Sequence, residues 1–368
     1  MNSRHRQNSV PHAGIVRGRK GGVAFREHRV TKDTESTAST DPAVTLCSRR
    51  LCVLCTATPL LSTGGRPSFG ILGVVSDSTF CCPVCGSCET ELLFAAADRL
   101  GIAAEPVEIR KCRGCGLGVT WPPADDSDLG RFYPDGYWGE GAEPTDEWLR
   151  RSQREKTDVV DRIAPGGGRL LDVGCGSGFF LRALDPKRWD RSGVEISERS
   201  AAAADRALGG DRVLTGRLDD LPLPNPLFDV VTFWASLEHV ATPRQVLARA
   251  RTLLSTGGIV VVQVPDFYSW QAVRFGPDWF ALDVPRHRWH FGESQLSRLL
   301  DECGFRIEEM LTRSETHDPH ALKQSLKTRL VVASAPFGRA RYYAAAPFVK
   351  LALRVTGGAT LTAVARAV

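Results

Sequence analysis

The sequence predicts an α/β protein: a mainly parallel sheet with helices on both faces, preceded by a small module built on cysteines. Three observations carry that reading. Short apolar strand patterns alternate with helical patterns from Arg169 onward. A glycine-rich loop interrupts the run LLDVGCGSGFFL, Leu170 to Leu181, directly after the first of those strands. Upstream, Cys82-Pro-Val-Cys85-Gly86 and Cys112-Arg-Gly-Cys115-Gly116 form two matching knuckles. Short apolar strands separated by helices bury both faces of a sheet, and that is the habit of parallel sheets.

The 368 residues are 42% hydrophobic and 24% charged, ample for a packed core, which excludes a wholly disordered or fibrous chain. The net charge of +5 is unevenly held. Residues 1–75 carry 11 Lys+Arg against 4 Asp+Glu, and residues 320–368 carry 8 against none. The body between them, 76–319, holds 28 against 38, so it is acidic.

Residues 1–75 show no sustained apolar period and read as a disordered leader or an over-extended start. Their one apolar stretch, Leu51 to Leu61, is too short to span a bilayer and lies too far along the chain for a signal peptide. The knuckles define a module over 78–122. Tetrahedral zinc needs four converging thiolates, and two Cys-x-x-Cys turns facing each other supply them. Cys82, Cys85, Cys112 and Cys115 are therefore expected to hold a structural Zn2+. The glycine after each second cysteine eases the turn, and Cys85 with Cys88 is a weaker pairing because Glu89 follows it. A reduced thiol site favours the cytoplasm.

Residues 123–165 read as a connector rich in turn residues and aromatics, then a helix over Asp146–Ile163. The main domain spans 166–368. Its expected strands are Leu170–Val173, Ser192–Ile196, Val213–Thr215, Val230–Phe233, Ile259–Val264 and Phe305–Leu311, with helices notably at Arg244–Leu254 and Glu293–Cys303. Gly174, Gly176 and Gly178 let the backbone approach a ligand closely at the top of the sheet. The spacing is G-x-G-x-G, whereas dinucleotide loops run G-x-G-x-x-G. Asp172 places a carboxylate just before the loop, unsuited to a pyrophosphate and suited to a cationic amino acid moiety. Glu195, at the end of the second strand, stands where a carboxylate takes the hydroxyls of a ribose. A cation beside a ribose with no phosphate describes S-adenosylmethionine.

With these motifs in view, residues 169–312 resemble a class I S-adenosylmethionine-dependent methyltransferase. With the knuckles included, the chain resembles bacterial members carrying an N-terminal zinc-binding domain. FDVVTFWASLEHV (Phe228 to Val240), LLSTGGIVVVQVPDF (from Leu253) and RHRWHFGESQLSRLLDECGF (from Arg286) match the later strands, loops and helix of that family in order. The resemblance implies a Rossmann-like, mostly parallel seven-stranded sheet whose last strand is antiparallel, here Ala359–Ala365 within GGATLTAVARAV. It implies that Asp172, Gly174 and Gly176 line the methionine part, with Gly178 completing the loop, and that Glu195 binds the ribose. On the adenine side, Arg217 stands where many relatives have Asp, which leaves the Leu218 backbone and Asp219 as the expected contacts.

A hydroxyl or acidic carbon acceptor needs a proton acceptor near neutral pH, for which histidine is the usual group. His239, on the loop after the fourth strand, and His287, after the fifth, are the expected bases. Arg286 and His290 are expected acceptor contacts, and Glu238 reads as a loop charge. No Asn/Asp-Pro-Pro-Tyr run or Pro-Cys nucleophile follows the fourth strand, which disfavours amino-group methylation of adenine or glutamine and attack on pyrimidine carbon-5. The expected acceptor is a small or carrier-linked molecule, a sugar or metabolite hydroxyl or an activated carbon. Two other classes stay open: an RNA methyltransferase gripping RNA with the ribbon, and a non-catalytic cofactor-binding module. The acidic body argues against a nucleic-acid partner. The helical basic insertion 320–356 reads as a cover for the sheet, with contact to a membrane surface or lipid-linked substrate as its functional alternative.

Overall fold

The computed structural model describes residues 80–124, 130–134, 136–137, 143–223, 227–329 and 358–368 in full, and only the backbone of 12–17, 23–28 and 75–76. Within the expected leader, β1 (His12–Arg17) pairs antiparallel with β2 (Val23–His28). Most of the leader and residues 330–356 of the expected insertion lie outside the described residues.

A sheet of five strands opens the ordered chain: β3 (Val75–Ser76), β4 (Glu89–Ala96), β5 (Val107–Cys112), β6 (Gly118–Trp121) and, from much later in the chain, β12 (Trp289–His290). The ribbon is thus completed by a strand of the main domain, which pairs antiparallel with β6. The two also share a core, in which Val84, Cys112, Leu117 and Val119 pack in one cluster with Leu237, Leu247 and Leu296. Arg244 fastens the first knuckle by donating to the carbonyls of Pro83 and Val84. The Tyr268 hydroxyl does the same for the second knuckle at the Gly116 carbonyl, 2.6 Å away.

Helix α1 (Asp146–Ile163) starts where the Thr145 hydroxyl accepts the Trp148 N–H, the usual N-cap device. The main sheet follows: β7 (Gly168–Val173), α2 (Phe179–Ala183), β8 (Trp189–Glu195), α3 (Glu198–Leu208), β9 (Val213–Thr215), β10 (Phe228–Trp234), α4 (Pro243–Leu253) and β11 (Leu254–Pro265). After α5 (Trp270–Phe275) and the long loop to β12 come α6 (Glu293–Glu302), β13 (Phe305–Leu311), α7 (His317–Lys327) and β14 (Thr360–Ala367). The strand order is β13-β14-β11-β10-β7-β8-β9. All adjacent pairs from β11 to β9 are parallel, while β14 runs antiparallel to both β11 and β13. This is the seven-stranded sheet with an antiparallel last strand that the sequence led one to expect. Strand order reverses between β7 and β10, and a crevice opens at such a switch point beyond the carboxyl ends of the strands.

One buried cation ties the sheets to the connector. Arg286 is fully buried. Its guanidinium donates to Asp98 at 2.6 Å, in the turn after β4, and to Asp283 at 2.8 Å in its own loop. It also donates to the Phe132 carbonyl of the connector at 3.0 Å. Removing the guanidinium takes the buried charged partner from Asp98 and one of two from Asp283, a loss of about 3 kcal/mol. Arg286→Ala is accordingly expected to lower urea-unfolding stability by that order; an unchanged midpoint would show that the tie carries no weight.

Candidate active site

The cofactor crevice is assembled by the ends of β7, β8, β9 and β10. Gly174 adopts φ +75°, and a Cβ there would stand 2.6 Å from the Ser236 Cβ. Only glycine lets the loop after β7 lie against the loop after β10. Gly178 shows the same constraint, with its missing Cβ placed 2.9 Å from the Ala204 Cβ. Glu195 is buried, and its two carboxylate oxygens accept the N–H groups of Gly176 (2.8 Å) and Ser197 (2.9 Å). These bonds fix the carboxylate at the end of β8.

Asp172, also buried, accepts a 2.7 Å hydrogen bond from the Thr232 hydroxyl. Burial pushes its carboxyl up to about 6, against the pull of Thr232 and of the Lys156 charge. A pocket of about 140 Å³ is walled by Gly174, Glu195, Leu218, Asp219, Tyr133 and His239 among others. Burial opposes the charge of Asp219, but the Arg217 guanidinium 3.0 Å away holds the carboxyl below its ordinary range. Gly174, Glu195, Leu218 and Asp219 thus line the crevice, Asp172 and Gly176 line the larger cavity beside it, and Gly178 shapes the turn beneath.

Gly174, Ala235 and His239 also border a second, larger cavity of about 590 Å³. Asp172, Lys156, Trp234, Glu238, Asp283 and His287 lie on its walls. Ala235 stands at the junction with φ 54°, a left-handed conformation in a residue with a side chain. Such strain at the end of β10 is of the kind that clusters at functional sites.

The two histidines pack edge to face on the wall of this cavity, ring centroids 4.6 Å apart and nearly perpendicular. His239 Nδ1 lies 3.0 Å from the Arg286 carbonyl and 2.8 Å from the Tyr133 hydroxyl. His287 Nδ1 lies 3.0 Å from the Ala281 carbonyl. A carbonyl only accepts, so in each ring Nδ1 carries the proton and Nε2 keeps its lone pair. Burial lowers His239 to about 4 and His287 well below its ordinary value, so both are neutral. Glu238 is fully buried, and burial raises its carboxyl to about 8.

Two expected acceptor contacts lie elsewhere. Arg286 spends its donors on Asp98, Asp283 and backbone carbonyls, so the structure corrects its reading as an acceptor contact to that of an internal tie. His290 sits on β12, where Nε2 lies 2.9 Å from the Thr120 hydroxyl and the ring packs on Phe267. It holds the ribbon strand and does not line either cavity.

Four site residues escaped the sequence reading. Tyr133 and Tyr137 lie in the connector, whose aromatic content was visible but whose destination was not. Lys156 passed as a charged position of an amphipathic helix, although it stands 5.5 Å over the Trp234 ring. Glu238 passed as a loop charge; its place directly before His239 after a buried strand was the available signal.

Residues 148–310, less than half of the chain, match the family described as "Methyltransferase domain". A probable S-adenosylmethionine-dependent methyltransferase of Mycolicibacterium smegmatis is 26% identical over 167 residues, covering 45% of this chain and 61% of its own. A ubiquinone biosynthesis O-methyltransferase of Thiobacillus denitrificans is 29% identical over 163 residues, 41% of this chain and 70% of its own. A dTDP-3-amino-3,4,6-trideoxy-alpha-D-glucopyranose N,N-dimethyltransferase of Streptomyces venezuelae is 28% identical over 138 residues, 36% of this chain and 56% of its own. The chain therefore spans about three fifths of the length of the first of these relatives. Strand order and glycine loop are in keeping with the match of residues 148–310 to a methyltransferase domain.

Proposed function

We propose that this protein transfers the methyl group of S-adenosylmethionine to a hydroxyl or activated carbon of a small or carrier-linked acceptor, with a sugar as the leading class. The observation that carries the reading is the junction at Gly174, Ala235 and His239. There a crevice with a diol-binding carboxylate opens into a cavity holding two neutral imidazoles. The sugar class draws support from the Streptomyces venezuelae relative, whose name describes a nucleotide-linked sugar as its substrate. Among the described residues no helix is long and apolar enough to cross a membrane.

In this reading Glu195 takes the ribose hydroxyls, Asp172 the cofactor's ammonium group, and Lys156 the cofactor's carboxylate. The cofactor supplies a methyl group on a sulfonium. The protein aligns the acceptor for in-line displacement and shields it from water. The acceptor's proton passes to Nε2 of His239 or His287 as its oxygen or carbon takes the methyl group. The buried carboxylates Asp172 and Glu195 suit a cationic cofactor.

The four knuckle thiols fit zinc. Their Sγ atoms lie within 4.8 Å of one another, with Cys82–Cys115 at 3.6 Å and Cys85–Cys112 at 3.5 Å. Zn–S bonds of about 2.3 Å in a tetrahedron place sulfurs about 3.8 Å apart. Zinc there would cross-link the two knuckles and take no part in methyl transfer.

Three outcomes test these assignments. His239→Ala and His287→Ala should each cut turnover about a hundredfold or more while cofactor binding, followed calorimetrically with S-adenosylhomocysteine, persists; full turnover in both would refute the base assignment. The Asp172 carboxylate binds a cation only when ionised, so affinity is complete above its free-protein value of about 6 and lost below it. Cofactor Kd should rise roughly tenfold per pH unit below that point, and Asp172→Asn should remove the dependence. Metal analysis should find one zinc per chain, lost in Cys82→Ser with a fall in melting temperature; metal-free protein of undiminished stability would exclude the zinc.

A further inference from the structure

Glu238 presents a problem that methyl transfer alone leaves unsolved. Its side chain is fully buried, borders the larger cavity, and neither carboxylate oxygen has a hydrogen-bond partner. A buried polar group without a partner costs about 1–3 kcal/mol, so such a group is retained where something else satisfies it. His239 and His287 stand beside it. One donor atom from each of the three lies within 4.8 Å of the other two, and His287 Nε2 is 3.9 Å from the near Glu238 oxygen.

The histidines are arranged as metal-binding histidines are. Each gives its Nδ1 proton to a backbone carbonyl, His239 to Arg286 and His287 to Ala281. That bond fixes ring and tautomer and turns Nε2 into the free donor. Behind them Asp283 adds negative potential, its Oδ2 lying 3.9 Å from His287 Nε2. Two imidazoles and one carboxylate, with room in the cavity for further ligands, is a donor set for first-row transition ions and a poor one for Mg2+ or Ca2+.

We propose that Glu238, His239 and His287 form a binding site for a divalent transition-metal ion on the acceptor side of the cavity, separate from the four cysteines. The ion satisfies both the orphaned carboxylate and the paired Nε2 lone pairs. The donor atoms must draw together by side-chain rotation, because ligands around one such ion sit closer to one another than 4.8 Å. The consequence for transfer rests on the proposed base role: an ion that takes both Nε2 lone pairs leaves none for the acceptor's proton, so its binding inhibits the reaction.

The test uses the full chain with its cysteine site loaded with zinc, titrated with Co2+ and followed by visible absorption and metal analysis. The expected result is one additional Co2+ per chain, with ligand-field bands and no thiolate charge-transfer band. Glu238→Gln, close in shape, and His287→Gln should each weaken that binding about tenfold or more, with cofactor binding retained as a check on folding. Millimolar Mg2+ should not displace the ion. The proposal is overturned if no second equivalent binds at saturating Co2+, if both variants bind it like the parent, or if Mg2+ displaces it. The base assignment is read separately: transfer should fall in step with Co2+ occupancy. Unchanged or faster transfer at full occupancy would leave the metal site standing and sink that assignment.

Discussion

The site depends on a single buried guanidinium. Arg286 bridges Asp98 of the ribbon sheet and Asp283 of its own loop, and reaches the connector at Phe132. Its backbone carbonyl also fixes the proton on His239. One residue therefore sets the spacing of three chain segments and the tautomer of a candidate base. A buried ion pair of this kind adds little net stability over an apolar packing, because desolvation offsets much of its attraction. Its value here lies in geometry: no apolar group could hold two carboxylates and a carbonyl at fixed distances around a polar cavity.

The same constraint explains why the ribbon is more than an appendage. β12 leaves the loop that carries Arg286 and His287 and pairs with β6, so the ribbon sheet and that loop share a strand. Thr120, on β6, receives the His290 ring and donates its own hydroxyl to the His287 carbonyl at 2.6 Å. The knuckles bury Cys82 and Cys112 in the core that also contains Leu237, just before Glu238. A metal clamp at the cysteines would stiffen the wall from which the larger cavity is cut.

What the sequence disclosed follows from how local each signal is. The strands and α1 were legible because apolar period and turn residues are properties of neighbouring positions, and observed ends differ from expected ones by a few residues. Asp172, the glycines and Glu195 were legible as neighbours because one loop and the next strand end carry them all. Arg286 and His290 were misread because an arginine beside histidines in an aromatic loop looks alike whether it faces a ligand or an internal carboxylate. The difference lies with Asp98 and Thr120, far away in sequence. Tyr133 and Lys156 escaped for the same reason, since each reaches the site only after long-range packing.

The charges of the cavity form a coherent set once burial is taken into account. Asp172 and Glu195 place two acidic groups on the side proposed for the cofactor, the first beside its ammonium group and the second beside its ribose. On the acceptor side burial keeps His239 and His287 neutral and lifts Glu238 towards its protonated form, leaving Asp283 as the one acid held ionised. Burial opposes even that charge, and the Arg286 and Arg99 guanidinium groups overcome it. The acceptor side thus stays nearly neutral, and a cation bound there would displace the proton that burial keeps on Glu238. An acidic crevice beside a neutral, basic-atom-lined cavity separates the two jobs that a methyl transfer sets, holding a positive donor and receiving a proton from its acceptor.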